Sequence, residues 1–357
     1  MKIAMVAGGT GGHIYPAISM AEALIDKGHD ITFFGSNDRM EKEVIPAHNF
    51  KYIGLDVYTT RGGIISKIKS IISIVSAYFK CLKLLKGFDM AIGFGNYISL
   101  PVMKAALKLK LKTIIHEQNS FVGRANRILD KDVDLVIGCY QENLKQFKNK
   151  NTLILGNPQS SKAFNIKKDK SVLTSLGLDP DKKTVVMFMG SLGSSSVAEK
   201  IIDYFNYTDG SYQIIYATGK MHYENVMAKA IKRDYIKIFE RIDGLNVMVN
   251  STLLVCRAGA TTLSEIGAVG MPAILIPSPY VPNNHQYYNG LALVNKNAAV
   301  MIEEKDLNAK VLADTIDDII NDSEKLNSLS TNAKQMANPN VLDDIITQIE
   351  NVWLKNI

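Results

Sequence analysis

Short apolar runs recur along the first half of the chain, and each is followed by a turn and then by a helix-like segment. The run at the N-terminus, MKIAMVAG, is almost continuously apolar, as in a parallel strand that is buried on both faces. Pro16 suits the first turn of a helix that ends near Lys27, with Gly28 as its C-terminal stop. Further strand-like runs in this half are DITFFG, FDMAIGFG, KTIIHEQN, VDLVIGCY and TLILGNP.

A second series begins near residue 182 with KTVVMFMG and continues through YQIIYATG, LNVMVN, TLLVCRAG and PAILIPSP. Two successive series predict an α/β chain with two doubly wound, Rossmann-like domains that face each other across a cleft. We place these domains at 1–157 and 158–340, with the polar stretch GNPQSSKAFNIKKDKS as linker. The segment 341–357 predicts a helix that could pack on either domain, including back on the N-terminal one.

Glycine-rich turns follow four of these runs: GGTGGH, GFGNY, GSLGSSS and CRAGATTLSE. They fall at the carboxyl ends of the predicted strands, where doubly wound domains bind their ligands. The first turn lacks the G-x-G-x-x-G spacing of a dinucleotide site and the G-K-[ST] of a P-loop. Bare backbone at the start of a helix still suits an anion, so phosphate-rich ligands are the expected occupants.

Composition and charge narrow the class of protein. Of the 357 residues, 46% are hydrophobic and 21% are charged, as in soluble globular proteins. The three cysteines lie far apart without a C-x-x-C, which favours a reducing cytosol over a disulfide framework or a zinc site. Residues 1–150 carry 21 Lys and Arg against 13 Asp and Glu, a net charge of +8, so this half should meet an anionic partner. Neither a signal peptide nor a membrane-spanning run is predicted.

Seven motifs in this order carry a specific resemblance: GGTGGHIYP, GFGNYIS, HEQNSFVGRANRIL, GNP, MGSLGSSS, CRAGATTLSE and NNHQYYNG. Together they resemble the peptidoglycan N-acetylglucosaminyltransferase family of bacterial cell-wall synthesis, over nearly the whole chain. The resemblance implies a GT-B fold and an inverting transfer of N-acetylglucosamine from UDP-N-acetylglucosamine. The implied acceptor is the muramyl 4-hydroxyl of lipid I, which is linked to undecaprenyl diphosphate, and the implied product is lipid II.

The acceptor side of such a site requires a base near the attacking hydroxyl. His13 suits this role because its unperturbed pKa lies near working pH. The resemblance places Thr10, Gly11 and Gly12 beside it, at the acceptor diphosphate and sugar. It also assigns residues of two further motifs to the acceptor side, namely Gly95, Asn96, Tyr97 and Asn126.

The segment IIHEQN brings three polar side chains to a strand end. The resemblance puts Asn119 at the donor sugar. Glu117 is a candidate catalytic residue or a brace for a neighbouring loop, and the same two possibilities hold for His116.

The donor side is expected in the second domain. The resemblance assigns the ribose hydroxyls to Glu265, the donor phosphates to Ser191 and the N-acetylglucosamine to Gln286, with Asn289 on the same helix face. Ile242 matches a position whose backbone contacts uracil. Arg257 either reaches a phosphate or braces its glycine turn. The remaining predicted donor-binding residues follow that turn: Ala260, Thr261, Thr262, Leu263 and Ser264.

Three features of the sequence depart from the family pattern. The arginine that usually follows GNP is replaced by Gln159 and Ser160, and Lys162 could substitute only as a point charge. Asn96 stands where glycine is usual, and Ala198 stands where some members carry asparagine. We expect these changes to affect the affinity for the donor more than the type of reaction.

No cofactor and no protein-bound metal are expected. The D-x-D pattern in DKDVD, at 130–134, resembles the metal-holding sequence of GT-A glycosyltransferases. It precedes its strand, however, and so falls at the wrong edge of the sheet for a ligand. We expect this segment to be a solvated loop.

A basic and apolar stretch at 61–86 predicts membrane contact. An apolar stripe with helical spacing runs through it, and part of that stripe is expected to face the core: Ile68, Ile71, Ile72, Val75, Phe79 and Leu82. Five lysines interrupt the stretch and would meet an anionic inner-leaflet surface: Lys67, Lys69, Lys80, Lys83 and Lys86. The expected location is the cytoplasmic face of the cell membrane, as a peripheral protein.

Two other functions share this architecture. A UDP-N-acetylglucosamine 2-epimerase uses two facing α/β domains and the same nucleotide, but it has no need of a basic apolar face. A nonenzymatic UDP-sugar sensor would have no need of the base His13. Nucleic acid is not an expected partner, because the lysines flank aliphatic residues rather than stacking aromatics.

Overall fold

The computed structural model describes residues 1–58, 64–190 and 193–354, with the backbone alone at 64–66. The chain divides into two compact units, Met1–Ser161 with Asn338–Ile357, and Lys162–Ala337. These boundaries lie within a few residues of the domain limits proposed from the sequence. Each unit is an α/β unit with its own parallel sheet.

The strands of the first unit are β1 (Lys2–Val6), β2 (Asp30–Ser36), β3 (Lys51–Leu55), β4 (Met90–Gly93), β5 (Lys112–Glu117), β6 (Leu135–Gly138) and β7 (Thr152–Ile154). In the described part of this unit they form one parallel sheet in the order β3-β2-β1-β4-β5-β6-β7. The buried residues of β1 and β4 explain why their sequences are almost continuously apolar.

Helices cover both faces of this sheet. They are α1 (Gly11–Asp26), α2 (Glu41–Ala47), α3 (Ile64–Leu84), α4 (Ser99–Lys108), α5 (Arg124–Leu129), α6 (Asn143–Gln146), α7 (Ser160–Phe164, which crosses the unit boundary) and the C-terminal helix α16 (Val341–Leu354). Helices α1 and α16 share one core with β1, and α3 and α4 pack on the opposite face. The last helix therefore belongs to the N-terminal unit.

The second unit repeats this plan. Its strands are β8 (Thr184–Phe188), β9 (Gln213–Ala217), β10 (Ile236–Phe239), β11 (Leu253–Cys256), β12 (Ala273–Leu275) and β13 (Val300–Met301). Within the described ranges they form one parallel sheet in the order β10-β9-β8-β11-β12-β13. Its helices are α8 (Ser171–Ser175), α9 (Ser195–Tyr204), α10 (Tyr223–Lys229), α11 (Gly244–Val249), α12 (Ala260–Val269), α13 (His285–Val294), α14 (Ala309–Ile320) and α15 (Ser323–Gln335).

One predicted strand of the second unit is wrong. The run LNVMVN lies in helix α11, which begins after Asp243, whose side chain accepts a hydrogen bond from the N–H of Asn246. This capping contact ends the extended chain and starts a helix. The strands β10 and β13 take the edge positions of the sheet, and neither was predicted.

Two expectations about the first unit also need correction. Helix α1 begins at Gly11, so Pro16 lies in its second turn rather than in its first. Strand β3 was not predicted, because its lysine, tyrosine and glycine leave it only partly buried at the edge of the sheet.

Candidate functional site

Both sheets have a switch point where the strand order reverses. In the first unit it lies between β1 and β4, and in the second it lies between β8 and β11. The four glycine turns found in the sequence follow these four strands. Because doubly wound sheets bind ligands at the carboxyl ends of strands beside the switch point, each unit offers one candidate site.

The first turn ends in an open helix N-terminus. Thr10 is the exposed N-cap of α1, and its side chain makes no capping hydrogen bond. The N–H groups of Gly11 and Gly12 occupy the first two helical positions, which have no intrahelical acceptor. Such amides, at the positive end of the helix dipole, suit an anion.

A buried carboxyl group forms a hydrogen bond with the start of this turn. Glu41, fully buried in the first turn of α2, accepts hydrogen bonds from the N–H of Gly9 at 3.0 Å and of Ser36 at 3.1 Å. A Cβ on Gly8 would lie 2.4 Å from Glu41 Oε1, so only glycine fits there. Sequence reasoning missed Glu41, because a glutamate at the start of a helix is usually just favoured by the dipole.

The two glycine turns of the first unit touch each other. Asn96 has a left-handed backbone, with φ +65°, and its Nδ2 donates to the carbonyl oxygen of Gly8 at 3.0 Å. Gly9 has φ +87°, and a Cβ there would lie 2.0 Å from Asn96 Nδ2. Asn96 thus fills the position where glycine was expected, and it uses its side chain to join the turns. Tyr97, next in the chain, is half-buried.

His13 lies between these turns in a defined orientation. Its Nδ1 is 2.8 Å from the carbonyl oxygen of Phe94 and 3.0 Å from Oε1 of Gln118. A carbonyl oxygen can only accept, so Nδ1 carries the proton and Nε2 is left with a lone pair. A Cβ on Gly95 would lie 3.6 Å from His13 Cε1 and 3.4 Å from Asn126 Nδ2. The structure therefore brings the predicted base together with two predicted acceptor-side residues.

The HEQN segment contacts His13 through Gln118, and its own histidine is buried. His116 at the end of β5 is fully buried, and burial lowers the pKa of its ring to about 4. Its Nε2 lies 3.1 Å from the carbonyl oxygen of Gly156, in the GNP motif. His116 therefore contacts the protein interior, where it holds the backbone after β7.

Glu117 holds the loop that carries the two predicted asparagines. Its buried carboxyl group accepts hydrogen bonds from both nitrogens of Asn119, from the N–H of Gly123 and from Nδ2 of Asn126, at 2.9–3.2 Å. Asn126 is 1% exposed, and its Oδ1 has no hydrogen-bond partner among the described residues. A buried acceptor without a partner is costly, so this oxygen is suited to a ligand hydroxyl.

In the second unit, the glycine turn after β11 leads into α12. Thr261 and Thr262 lie in the first turn of this helix, where no side chain caps the backbone. The hydroxyl of Thr261 is buried and has no hydrogen-bond partner within the described ranges. Glu265 follows one turn later and is partly exposed. The other predicted residues of this helix are two that pack into the core, Ala260 and Leu263, and one that bonds within the helix, Ser264.

Arg257 braces its glycine turn through buried contacts. The guanidinium forms an ion pair with Glu304, with 2.6 Å between Nη1 and Oε2, and both side chains are less than 10% exposed. It also donates to Ser194 Oγ at 2.6 Å and to the carbonyl oxygen of Ile276. Arg257 therefore fixes the start of α9, where the serine turn ends. No sequence motif pointed to Glu304. Ser191, the predicted phosphate-binding residue, lies outside the described residues.

The last donor-side motif starts α13. Gln286 Oε1 accepts the N–H of Ser278 at 2.9 Å, which turns its Nε2 donor to the opposite side. Asn289 is fully buried, and Asn283 and Asn284 before the helix have left-handed backbones with φ 54° and 50°. Strained backbone of this kind clusters at ligand sites. The predicted uracil-side residue, Ile242, packs partly buried against the core of this unit.

The departures from the family pattern have structural roles. Gln159 accepts a hydrogen bond from Ser19 of α1, and Ser160 bonds the carbonyl oxygen of Asn157, so neither projects as an arginine would. Ala198 is buried in the core of the second unit.

In the D-x-D segment, Asp132 pairs with Lys104 at 2.7 Å. Within the described ranges, no three side chains of His, Cys, Asp or Glu are grouped as metal ligands.

The chain is similar to known proteins over nearly its full length. The models of the glycosyltransferase family 28 N-terminal and C-terminal domains match residues 3–137 and 184–345. Relatives from Listeria welshimeri and Caldanaerobacter subterraneus are both 35% identical, over 98% and 94% of this chain and 99% and 96% of theirs. Both are UDP-N-acetylglucosamine–N-acetylmuramyl-(pentapeptide) pyrophosphoryl-undecaprenol N-acetylglucosamine transferases.

Solved structures share the fold. Acinetobacter baumannii MurG has a TM-score of 0.79 at 22% identity, covering 98% of this chain and 99% of its own. A putative UDP-N-acetylglucosamine 2-epimerase from Listeria monocytogenes has a TM-score of 0.73 at 14% identity, covering 99% and 97%. Two Rossmann-like units of this kind define the GT-B class of glycosyltransferases. The chain belongs to glycosyltransferase family 28 and, within it, to the peptidoglycan N-acetylglucosaminyltransferases of the MurG type.

Proposed function

We propose that this protein transfers N-acetylglucosamine from UDP-N-acetylglucosamine to the 4-hydroxyl of the muramyl sugar of lipid I. The product is lipid II, the disaccharide-linked precursor of peptidoglycan. Full-length similarity at 35% identity to transferases of this name supports the reaction. The mechanism rests on the orientation of His13, whose Nδ1 forms a hydrogen bond with the carbonyl oxygen of Phe94.

In this mechanism, His13 Nε2 takes the proton of the attacking hydroxyl. The hydroxyl oxygen forms a bond to C1 of N-acetylglucosamine while the bond from C1 to the UDP oxygen breaks, so the anomeric configuration inverts. The buried Asn126 Oδ1 near Gly95 would accept a hydrogen bond from the acceptor sugar. The amides of Gly11 and Gly12 would bind the acceptor diphosphate.

The donor is proposed to bind in the second unit. The N-terminus of α12 and the orphan hydroxyl of Thr261 would contact UDP, and Glu265 would bind the ribose. Gln286 presents an amide N–H group as a donor for the sugar. Stabilising the departing diphosphate at helix N-termini lowers the barrier of transfer without a protein-bound metal.

The membrane surface is proposed to dock on α3, whose apolar side faces outward. Five apolar side chains of this helix are 48–62% exposed: Ile68, Ile71, Ile72, Val75 and Phe79. Its buried side carries Ser70 and Ser73, which bond the backbone of Tyr58, and Ala77 and Cys81, which pack in the core. We therefore expect peripheral attachment to the cytoplasmic face, with five exposed lysines beside the apolar side: Lys67, Lys69, Lys80, Lys83 and Lys86.

None of the helices in the described ranges combines the length and apolar character needed to cross a bilayer. The outward apolar side of α3 is also what favours the transferase over a 2-epimerase of the same fold. An enzyme that converts a soluble UDP-sugar has no use for such a surface.

A direct transfer assay tests the function. Purified protein is incubated with UDP-N-acetylglucosamine and a short-chain lipid I analogue in EDTA, and UDP and glycolipid are measured together. UDP release that matches new disaccharide-lipid supports the transferase without a required divalent metal. Formation of UDP-N-acetylmannosamine without acceptor would indicate the epimerase instead, and UDP-sugar binding without either product would indicate a sensor.

A further inference from the structure

Gln118 lies between the two histidines of the first unit. It is 1% exposed, and its Oε1 is 3.0 Å from His13 Nδ1. Its Nε2 is 3.1 Å from His116 Nδ1, and His116 Nε2 is 3.1 Å from the carbonyl oxygen of Gly156. A continuous row of hydrogen bonds therefore runs from the proposed base to the backbone of the GNP motif.

The two ends of this row fix the direction of every bond within it. The carbonyl oxygens of Phe94 and Gly156 can only accept, so protons must lie on His13 Nδ1 and on His116 Nε2. The facing ring nitrogen of His116 is then an acceptor, which requires the amide nitrogen of Gln118 on that side. A flipped amide would place two donors together at His13 and two acceptors together at His116.

This arrangement controls which nitrogen of His13 is basic. With its proton held on Nδ1, the ring keeps its lone pair on Nε2, where a substrate proton can be taken. When the imidazolium forms, its Nδ1–H bonds to Phe94 and Gln118 become charge-assisted and stronger. In serine hydrolases a carboxylate has the corresponding place beside the catalytic histidine; here the second acceptor is a neutral amide.

We propose that Gln118 is a positioning residue for the transfer reaction, oriented by His116 and Gly156, that selects the tautomer of His13. The proposal rests on the proposed role of His13 as the base. Toward Gln118, the ring of His116 is a neutral acceptor, because it is fully buried and its Nε2 proton is bonded to Gly156.

Few other titratable groups surround these rings. Glu117 follows His116 on β5, and Cys139 Sγ after β6 is 3.8 Å from His116 Nε2. Glu41 of α2 bonds the N–H of Gly9 in the first turn. The contact of His13 with the residue that follows β4 is made by the carbonyl oxygen of Phe94, which does not titrate.

The first test needs no activity. Long-range ¹H–¹⁵N correlation spectra at pH 8 report which nitrogen of each histidine ring carries the proton, and spectra of His13→Asn and His116→Asn assign the signals. We expect opposite tautomers, with Nδ1–H in His13 and Nε2–H in His116. The same tautomer in both rings, or Nε2–H in His13, would overturn the proposal even in a protein that transfers sugar.

The second test uses the pH dependence of kcat/KM for the acceptor. In Gln118→Glu, a carboxylate beside His13 should move the acid limb up by about one pH unit. In Gln118→Met, kcat should fall about tenfold while KM for UDP-N-acetylglucosamine changes less than twofold. Gln141→Met, at an exposed position of the same unit, is the matched control and should retain wild-type kinetics.

The outcomes separate this proposal from the proposed function. An acid limb that stays in place in Gln118→Glu contradicts the positioning role, whereas a wild-type protein without transfer contradicts the function. In that second case, the tautomer measurement still supports or overturns the arrangement of the two rings.

Discussion

Asn96 Nδ2 donates a hydrogen bond of 3.0 Å to the carbonyl oxygen of Gly8, and this bond joins the two glycine turns at the switch point of the first sheet. The same side chain accepts the N–H of Tyr97 through Oδ1 at 2.6 Å. Asn96 therefore combines a left-handed backbone, which asparagine tolerates, with two contacts that glycine could not make.

Substitutions at Asn96 should separate these two contributions. Asn96→Gly removes the side-chain bonds but keeps the backbone unstrained, and we expect it to lower the free energy of unfolding by about 1 kcal/mol. Asn96→Ala adds the cost of alanine at φ +65°, about 1 kcal/mol more. Urea unfolding of both variants measures the difference, and equal stabilities would show that the left-handed backbone imposes no cost.

Replacement of the proposed base should abolish most activity without preventing donor binding. For His13→Ala we expect kcat to fall by about 10²–10⁴-fold, the usual contribution of a general base. The Kd for UDP, measured by calorimetry, should stay within twofold of the wild type because His13 lies in the first unit. A variant that keeps more than a tenth of wild-type kcat would point to another base.

The buried ion pair between Arg257 and Glu304 should be needed for stability. Glu304→Ala leaves the Arg257 guanidinium buried without its counter-ion, so we expect the free energy of unfolding to fall by about 3–5 kcal/mol. The exposed pair of Lys310 and Asp314 is a matched control, for which Asp314→Ala should cost less than 1 kcal/mol. Similar losses in both variants would mean that burial does not matter here.

His116 should make stability depend on pH in a defined window. The folded state lowers the pKa of its ring from 6.5 to about 4 through burial, so folding favours the neutral form. The unfolded chain binds more protons between these values. Stability due to this group is therefore complete above pH 6.5 and is lost as the pH falls toward 4, by up to about 1.4 kcal/mol per pH unit.

The contribution of His116 to this pH dependence can be measured with one substitution. Urea unfolding of the wild type and of His116→Gln is compared from pH 4 to pH 8, and the difference between them should change below pH 6.5. A constant difference across this range would contradict the assignment of the lowered pKa.

The exposed side of α3 should determine membrane binding. Changing the four lysines of α3 and the nearby Lys86 to glutamine should weaken binding to vesicles of anionic phospholipid by at least tenfold, since each contributes about 1 kcal/mol near such a surface. Changing Ile71, Ile72 and Phe79 to serine should have a similar effect through lost apolar contact. Flotation with vesicles measures both, and transfer to a water-soluble acceptor should be unchanged.

The control for this test is a set of five exposed lysines outside the helix, changed to glutamine together: Lys167, Lys168, Lys220, Lys232 and Lys296. Their loss removes the same net charge. Equal weakening by the control set would mean that total charge, rather than the α3 surface, governs binding.

The apolar runs of the sequence located most of the strands but failed where periodicity is uninformative. LNVMVN has the length and composition of a buried strand, and the helix α11 is set by the cap at Asp243. A stretch of six residues cannot separate the two structures by pattern alone. The edge strands β3, β10 and β13 were missed because they are partly exposed or only two residues long.

His13, Asn126 and Thr261 were all proposed from sequence motifs. The structure gives His13 a defined orientation and leaves Asn126 Oδ1 and Thr261 Oγ1 buried without a hydrogen-bond partner in the described ranges, and their contact with ligands stays a prediction. Glu41, Gln118 and Glu304 were not proposed, because each acts through a partner distant in sequence. The expectation that part of the α3 stripe faces the core holds for Leu82, which packs against it, whereas the other five residues of the stripe are exposed.

The buried Glu41 has a consequence for the design of inhibitors. Because its carboxyl group already occupies the N–H of Gly9, a compound that mimics a diphosphate can gain hydrogen bonds from Gly11 and Gly12 but not from the deeper part of the turn. An anionic group placed further in would face the Glu41 carboxyl group, which is fully buried and already accepts hydrogen bonds from Gly9 and Ser36. Compounds for this turn should therefore carry their negative charge at its rim, beside the N–H groups of Gly11 and Gly12.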